Sequence, residues 1–290
     1  MYAIRHIDIP KTSLDLFVTA EFEKKVSLWS LGKMKKIGDI DTTLDFGGSR
    51  LVLIPTDKEP IIVTGAYTRY GVSAYKLDGK KLWERKDLKK PQYIKSLKSG
   101  GEVCIGIGFD EKPFHFLNVH TGDTINLYKG VRKIFTNQDD SLWITVSDRD
   151  IKLIDTDKEV ERWSKNTDIL SASFSDEKIL INISHTLICY DNIGNENWRY
   201  DCPEEHIIHN VSWNTKRKYW MFILWNYING GPKYLCKVDE NGFLISKEEL
   251  GEIWEYAFSG DGQLLITSDG EVIDTHNLRV VWKFSKKVIS

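Results

Sequence analysis

One hairpin pattern recurs along this chain, and its recurrence limits the possible folds more than any other feature. The stretch Leu187–Asp201, L-I-C-Y-D-N-I-G-N-E-N-W-R-Y-D, reads as strand, turn, strand. An apolar run ends at Tyr190-Asp191, Asn192 and Gly194 supply the turn, and Trp198 anchors a second, more polar strand. Asn and Gly accept the left-handed backbone of a tight turn at little cost, so the hairpin has a local cause. The pattern returns at Ala74–Glu84 (A-Y-K-L-D-G-K-K-L-W-E), Ile154–Trp163 (I-D-T-D-K-E-V-E-R-W) and Val272–Trp282 (V-I-D-T-H-N-L-R-V-V-W).

Aligning on turns extends the repeat to the whole chain. Seven polar turns, Pro10–Ser13, Pro55–Glu59, Lys98–Gly101, Asn137–Asp140, Ser175–Lys178, Asn214–Lys218 and Ser259–Gly262, each precede an apolar run. Those runs are Leu14–Thr19, Pro60–Thr64, Val103–Gly108, Leu142–Val146, Ile179–Ile183, Tyr219–Trp225 and Leu264–Thr267. Seven units in 290 residues average about 41 each, within the ~40–45 of a four-stranded propeller blade. With the strands of a unit lettered A to D, the turn joins A to B and the apolar run is B.

Periodicity agrees with that count. The B strands, such as I-L-I-N-I and W-M-F-I-L-W, are apolar on nearly every residue. A strand of that kind is covered on both faces, as between two neighbouring blades. The D strands, such as K-K-L-W-E-R-K and R-V-V-W-K-F-S-K-K, are charged; they read as outer edges protected from further pairing, with Trp packing inward. The expected fold is an all-β seven-bladed β-propeller with four antiparallel strands per blade. It is expected as one domain over 1–290, with blades at 3–40, 50–88, 93–129, 131–165, 168–201, 206–248 and 252–286.

Composition narrows the function classes. A net charge of −2 provides no global field for nucleic acid or an anionic membrane. Of the four cysteines, Cys104, Cys189, Cys202 and Cys236, none forms a C-x-x-C pair, and three lie in apolar runs, which suggests reduced, buried thiols. The longest apolar run, Tyr219–Trp225, is too short to span a bilayer. The N-terminus M-Y-A-I-R-H-I-D-I-P enters a strand at once, with no charged-then-apolar signal region, so a cytoplasmic protein is expected; a monomer is expected as well.

The Asp…Gly…Trp hairpins at Asp191–Trp198 and Asp78–Trp83 resemble blades of the quinoprotein-like and WD-repeat-like β-propellers. The Gly-His and Trp-Asp pairs of WD repeats are missing, as is the adjacent Cys-Cys pair of quinoprotein alcohol dehydrogenases. The resemblance therefore implies a fold and no cofactor residue.

Linear motifs for catalysis or metal binding are also lacking. His206 and His209, in H-I-I-H, fall on opposite faces of a strand and are ill placed to share a metal. D-T-D at Asp155–Asp157 and S-G-D-G at Ser259–Gly262 read as turns, not calcium loops. No G-x-S-x-G, H-E-x-x-H or phosphate-cradling Gly loop occurs. No catalytic residue, cofactor or metal is assigned.

Loop length is the remaining signal. The B–C and D–A connections emerge at one end of a blade, and several are long: Asp39–Arg50, Gly65–Gly71, Gly108–Pro113 and Trp225–Pro232. Loops on a rigid scaffold concentrate binding residues, and Tyr, Trp and Arg are the types that anchor interfaces. The expectation is a non-catalytic scaffold that binds a protein partner through this face, using Tyr67, Arg69, Tyr70, Trp225 and Tyr227. The alternative is a hydrolase or lyase acting on a small polar molecule in the central channel. Its residues would come from several inner strands and leave no linear motif.

Overall fold

A computed structural model describes residues 4–10, 15–20, 24–44, 50–66, 70–99, 102–110, 112–228 and 230–284. The chain is an all-β seven-bladed β-propeller, with four antiparallel strands to each blade and no helix among the described residues.

Blade 1 holds β1 (His6–Asp8), β2 (Leu16–Ala20), β3 (Lys25–Ser30) and β4 (Lys35–Asp41). Blade 2 holds β5 (Arg50–Ile54), β6 (Ile61–Gly65), β7 (Val72–Tyr75) and β8 (Lys81–Arg85). Blade 3 holds β9 (Tyr93–Ser99), β10 (Glu102–Gly108), β11 (Phe114–Asn118) and β12 (Thr124–Tyr128). Blade 4 holds β13 (Lys133–Thr136), β14 (Leu142–Val146), β15 (Ile151–Asp155) and β16 (Val160–Lys165). Blade 5 holds β17 (Ser171–Phe174), β18 (Lys178–Asn182), β19 (Thr186–Asp191) and β20 (Glu196–Asp201). Blade 6 holds β21 (His206–Asn214), β22 (Tyr219–Asn226), β23 (Lys233–Val238) and β24 (Leu244–Gly251). Blade 7 holds β25 (Tyr256–Phe258), β26 (Leu264–Thr267), β27 (Glu271–Asp274) and β28 (Val280–Lys283). Every sheet is a simple meander built from one continuous stretch of chain.

The strands group into two compact units. One comprises Met1–Lys133, Trp254–Gly260 and Leu264–Ser290; the other comprises Ile134–Ile253 and Asp261–Gln263. Within each, the core is a series of apolar slabs between successive blades. In the first unit, Val52, Ile54 and Val63 of blade 2 pack on Ile105, Ile107 and Leu117 of blade 3. In the second, Leu180, Leu187 and Cys189 of blade 5 pack on Trp220, Phe222 and Cys236 of blade 6. This double coverage explains the unbroken apolar B strands, for β6 is buried at all five positions. Each such side chain contributes ~1.5–3 kcal/mol when fully buried.

The C–D hairpins share one chemistry. Each described turn from blade 2 to blade 7 begins at an Asp or Asn whose side-chain oxygen accepts backbone N–H groups ahead of it. Asp78 binds Lys80 N, Asn118 binds His120 N, and Asp155 binds Lys158 N. Asp191 binds Ile193 N, Asp239 binds Asn241 N, and Asp274 binds His276 N. These bonds favour the turn over a continued strand. Asp155 thus serves a turn, and it also pairs with Arg162 at 2.7 Å.

Trp on a D strand engages the hairpin of the following blade. A Cβ on Gly122 would sit 2.6 Å from the Trp83 ring, and one on Gly194 would sit 2.9 Å from that of Trp163. Trp83 Nε1 also donates to the Val119 carbonyl at 2.9 Å. In the first unit, blades 7 and 1 meet through Phe17, Trp29, Trp282 and Phe284, with ring centroids 4.9–6.1 Å apart. β1 pairs with β2 and belongs wholly to blade 1.

The connection read as Asp39–Arg50 differs from expectation. β4 continues to Asp41, Leu44 is buried in the core, and Thr42 Oγ1 donates to the Lys24 carbonyl at 2.9 Å. Burial of Ile40 and the pairing of Lys25 with Asp41 carry this stretch in the ladder; residues 45–49 lie outside the described residues.

Candidate functional site

Two sets of residues are candidates, and both follow from the meander. Each A strand is the inner strand of its blade, and each B–C or D–A connection lies at one end of it.

The first set lies on the inner strands of the first unit. His6 and Asp8 are two apart on β1 and so face the same side. Asp8 Oδ2 accepts the Leu53 amide of β5 at 2.7 Å, which satisfies an edge N–H that no strand pairs. Its carboxyl group is deeply enclosed although the residue retains some exposure. Burial pushes that carboxyl up to about 7, against the opposing pull of the Leu53 amide and Lys95 of β9. Burial also pushes His6 down to about 4, assisted by the charges of Arg50 and Arg5. Arg50, on β5, donates from Nε to the Gln92 carbonyl at 2.8 Å and feels the charge of Glu255 next to β25. Two carboxylates, an imidazole and three cations, Arg5, Arg50 and Lys95, therefore converge on or beside four inner strands. Such a cluster can bind a polar ligand or move a proton. It can equally hold the inner strands together, as the Asp8–Leu53 bond does.

The second set is the loop end. Tyr67 and Arg69 lie outside the described residues. Tyr70 is half-buried, in a loop closed by Ala66 N donating to the Gly71 carbonyl at 2.7 Å. In the second unit, Trp225 is still part of β22 and half-buried. Its ring centroid is 5.7 Å from that of His209, and Lys233 Nζ lies 5.5 Å above it. Tyr227 and Ile228 follow, with 43% and 59% of their surface exposed. The Tyr227 amide donates to the Glu205 carbonyl at 3.2 Å, and its ring lies 6.1 Å from His185. Beside it, the Cys202 thiol donates to the His206 carbonyl at 3.0 Å, while His185 Nδ1 bonds the same carbonyl at 2.7 Å. Trp225 and Tyr227 therefore share one loop region, whereas Tyr70 belongs to the other unit. Among the described residues, no three His, Cys, Asp or Glu side chains come together as metal ligands.

Sequence reading missed two features. Trp254 is 80% exposed in the D–A connection leading to blade 7, where its amide donates to Ser268 Oγ at 2.9 Å. Its signal was local: E-I-W-E places a Trp between acidic residues where no strand alternation requires it. The inner-strand cluster had no local signal, because its members are single charged residues far apart in the chain.

No protein-family model matches the sequence, and no curated protein matches it. Solved structures of similar fold do exist. A chain of a mitotic checkpoint complex is 13% identical with a TM-score of 0.68, the match covering 92% of this chain and 84% of that one. The Cps50 (Swd1) β-propeller domain of Myceliophteria thermophila is 10% identical with a TM-score of 0.68, the match covering 92% of each chain. The chain is thus similar in fold to the WD-repeat-like β-propellers.

Proposed function

We propose that this protein is a non-catalytic interaction scaffold that binds a protein partner through the end carrying its B–C and D–A connections. The observation that carries this reading is the exposure of large apolar side chains there: Trp254 in one unit, Tyr227 and Ile228 in the other. Aromatic residues held in water on anchored loops are of the type that dominates interface energies. The similar chain in the mitotic checkpoint complex belongs to an assembly, which supports the same role here. Affinity capture from the source cells, with wild type against Trp254→Ala and Tyr227→Ala, tests the proposal. Loss of one specific protein from either variant, with folding intact, supports it; unchanged capture from both overturns it.

The inner-strand cluster favours a second reading, a hydrolase or lyase acting on a small polar molecule. Its support is Asp8, a carboxyl poised to exchange a proton near neutral pH beside His6 and three cations. Any turnover found by substrate screening would have to vanish in Asp8→Asn and His6→Gln for this reading to stand.

A further inference from the structure

The outer strands of six blades carry charges. β4 is K-K-I-G-D-I-D, β8 is K-L-W-E-R, β16 is V-E-R-W-S-K, β20 is E-N-W-R-Y-D, β24 is L-I-S-K-E-E-L-G and β28 is V-V-W-K. Charge at an open sheet edge opposes pairing with a second sheet. The outer strand of blade 3 breaks the pattern. β12 is T-I-N-L-Y, with no charged residue and every position exposed. Ile125 is 51% exposed, Leu127 48% and Tyr128 39%. It ends its sheet, so one of its edges has no strand partner. The Leu127 amide donates to the side chain of its own neighbour, Asn126, at 2.7 Å.

The residues around β12 also show what fits this edge. The run Gly122–Gly130 reads G-D-T-I-N-L-Y-K-G. Ile125 is the extra residue of a β-bulge against β11; when two copies pair antiparallel about Asn126, it lies beside Leu127, Thr124 comes opposite Tyr128, and Asp123 opposite Lys129. By two-fold symmetry each of these contacts occurs twice. Apolar side chains then meet apolar ones, and an acid meets a base at both ends. Asp123 and Lys129 are both exposed in the single chain; Gly122 is buried beneath Trp83, and a Cβ on Gly130 would meet nothing within 4 Å.

We propose that β12 is a self-pairing edge, through which two copies of this protein join their third blades into one continuous eight-stranded sheet. A single strand pair is small for a specific interface, so the association depends on concentration. The monomer expected from the sequence is then the dilute state.

Sedimentation equilibrium of the full chain over a roughly hundredfold concentration range tests the proposal, with a thermal melt of each variant to verify folding. Wild type should rise toward twice the monomer mass, and Leu127→Lys, which gives β12 the charge its counterparts carry, should stay monomeric. Lys129→Asp, which sets acid against acid, should shift the transition to higher concentration, and adding Asp123→Lys to it should shift the transition back. A wild type that stays monomeric throughout, or a dimer that survives Leu127→Lys unchanged, overturns the proposal. So does dimerisation that Lys129→Asp leaves untouched.

Discussion

The indole of Trp198 in blade 5 covers Gly242 in blade 6. A Cβ on that glycine would lie 2.7 Å from Cδ2 of the ring, and Trp198 Nε1 donates to the Glu240 carbonyl two residues earlier at 2.8 Å. The same relation links Trp83 to Gly122 and Trp163 to Gly194. Where the preceding D strand lacks a Trp, glycine is kept in blade 2, at Gly79 (φ 86°) after β4, but not in blades 4 and 7. Blade 4 follows the Trp-free β12 and turns at Glu159 (φ 56°); blade 7 follows β24 and turns at Leu278 (φ 55°). At Gly122, Gly194 and Gly242 the ring leaves no room for a Cβ, and the positive φ favours glycine independently.

Gly242→Ala tests that distinction. Gly242 has φ 87° and no room for a methyl group, so strain and overlap act together and ~2–4 kcal/mol of stability should be lost. Gly230 has φ 60° with nothing within 4 Å, and Gly230→Ala should lose only about 1 kcal/mol. Urea unfolding of both variants checks the ordering; equal losses would mean that the Trp contact carries no weight.

Trp198 and Trp254 should separate sharply in stability. Trp198 is half-buried on the blade 5–6 slab, and Trp198→Ala should cost ~2–4 kcal/mol, slightly below the range for a fully buried Trp. The Trp254 side chain is largely in water, and Trp254→Ala should change stability by less than ~0.5 kcal/mol. Midpoints from thermal unfolding decide, and a large loss at Trp254 would show that it packs instead of presenting itself.

His6 and Asp8 should give opposing pH dependences. Asp8 rises from 3.8 to about 7 on folding, so its contribution is full at low pH and is lost as pH climbs from 4 to 7. His6 falls from 6.5 to about 4, so its contribution is full above pH 6.5 and is lost as pH drops toward 4. Each is of the order of 3 kcal/mol across pH 4–6.5, and the two nearly cancel there. Wild-type stability should therefore be flat over that window. Asp8→Asn should make it rise with pH, and His6→Gln should make it fall. Unfolding free energies at half-unit pH steps provide the measurement, and parallel slopes in the two variants would refute the assignment.

The anchors expected from loop length can be ranked by binding. With a captured partner in hand, Tyr227→Ala should weaken affinity by ~1–4 kcal/mol, because the side chain is exposed. Trp225→Ala should act mainly on stability, since its ring is engaged by His209 and Lys233. Calorimetric titration with each variant distinguishes the two effects.

The fold was legible because its causes are local. Asp191, Gly194 and Trp198 each announce a turn or an outer strand within a dozen residues, and the double-faced B strands announce two covering neighbours. The pairing of Trp198 with Gly242 was not legible, since it joins two hairpins in different blades. The inner cluster stayed hidden for the same reason: His6, Arg50, Lys95 and Glu255 look like ordinary strand charges until the blades bring them together. Loop length could not show that Trp225 lies in β22, whose strand pairing runs one residue past it, while Tyr227 follows the strand.

Each blade is cut from one uninterrupted stretch of chain, and β1 does not complete the sheet of the last blade. Blades 7 and 1 are joined by aromatic side chains, with no shared backbone ladder among the described residues. A duplication or deletion of one whole repeat would consequently leave every remaining sheet intact. Neighbouring blades are thus held to one another by side chains, through apolar packing and through bonds such as Asp8 to the Leu53 amide.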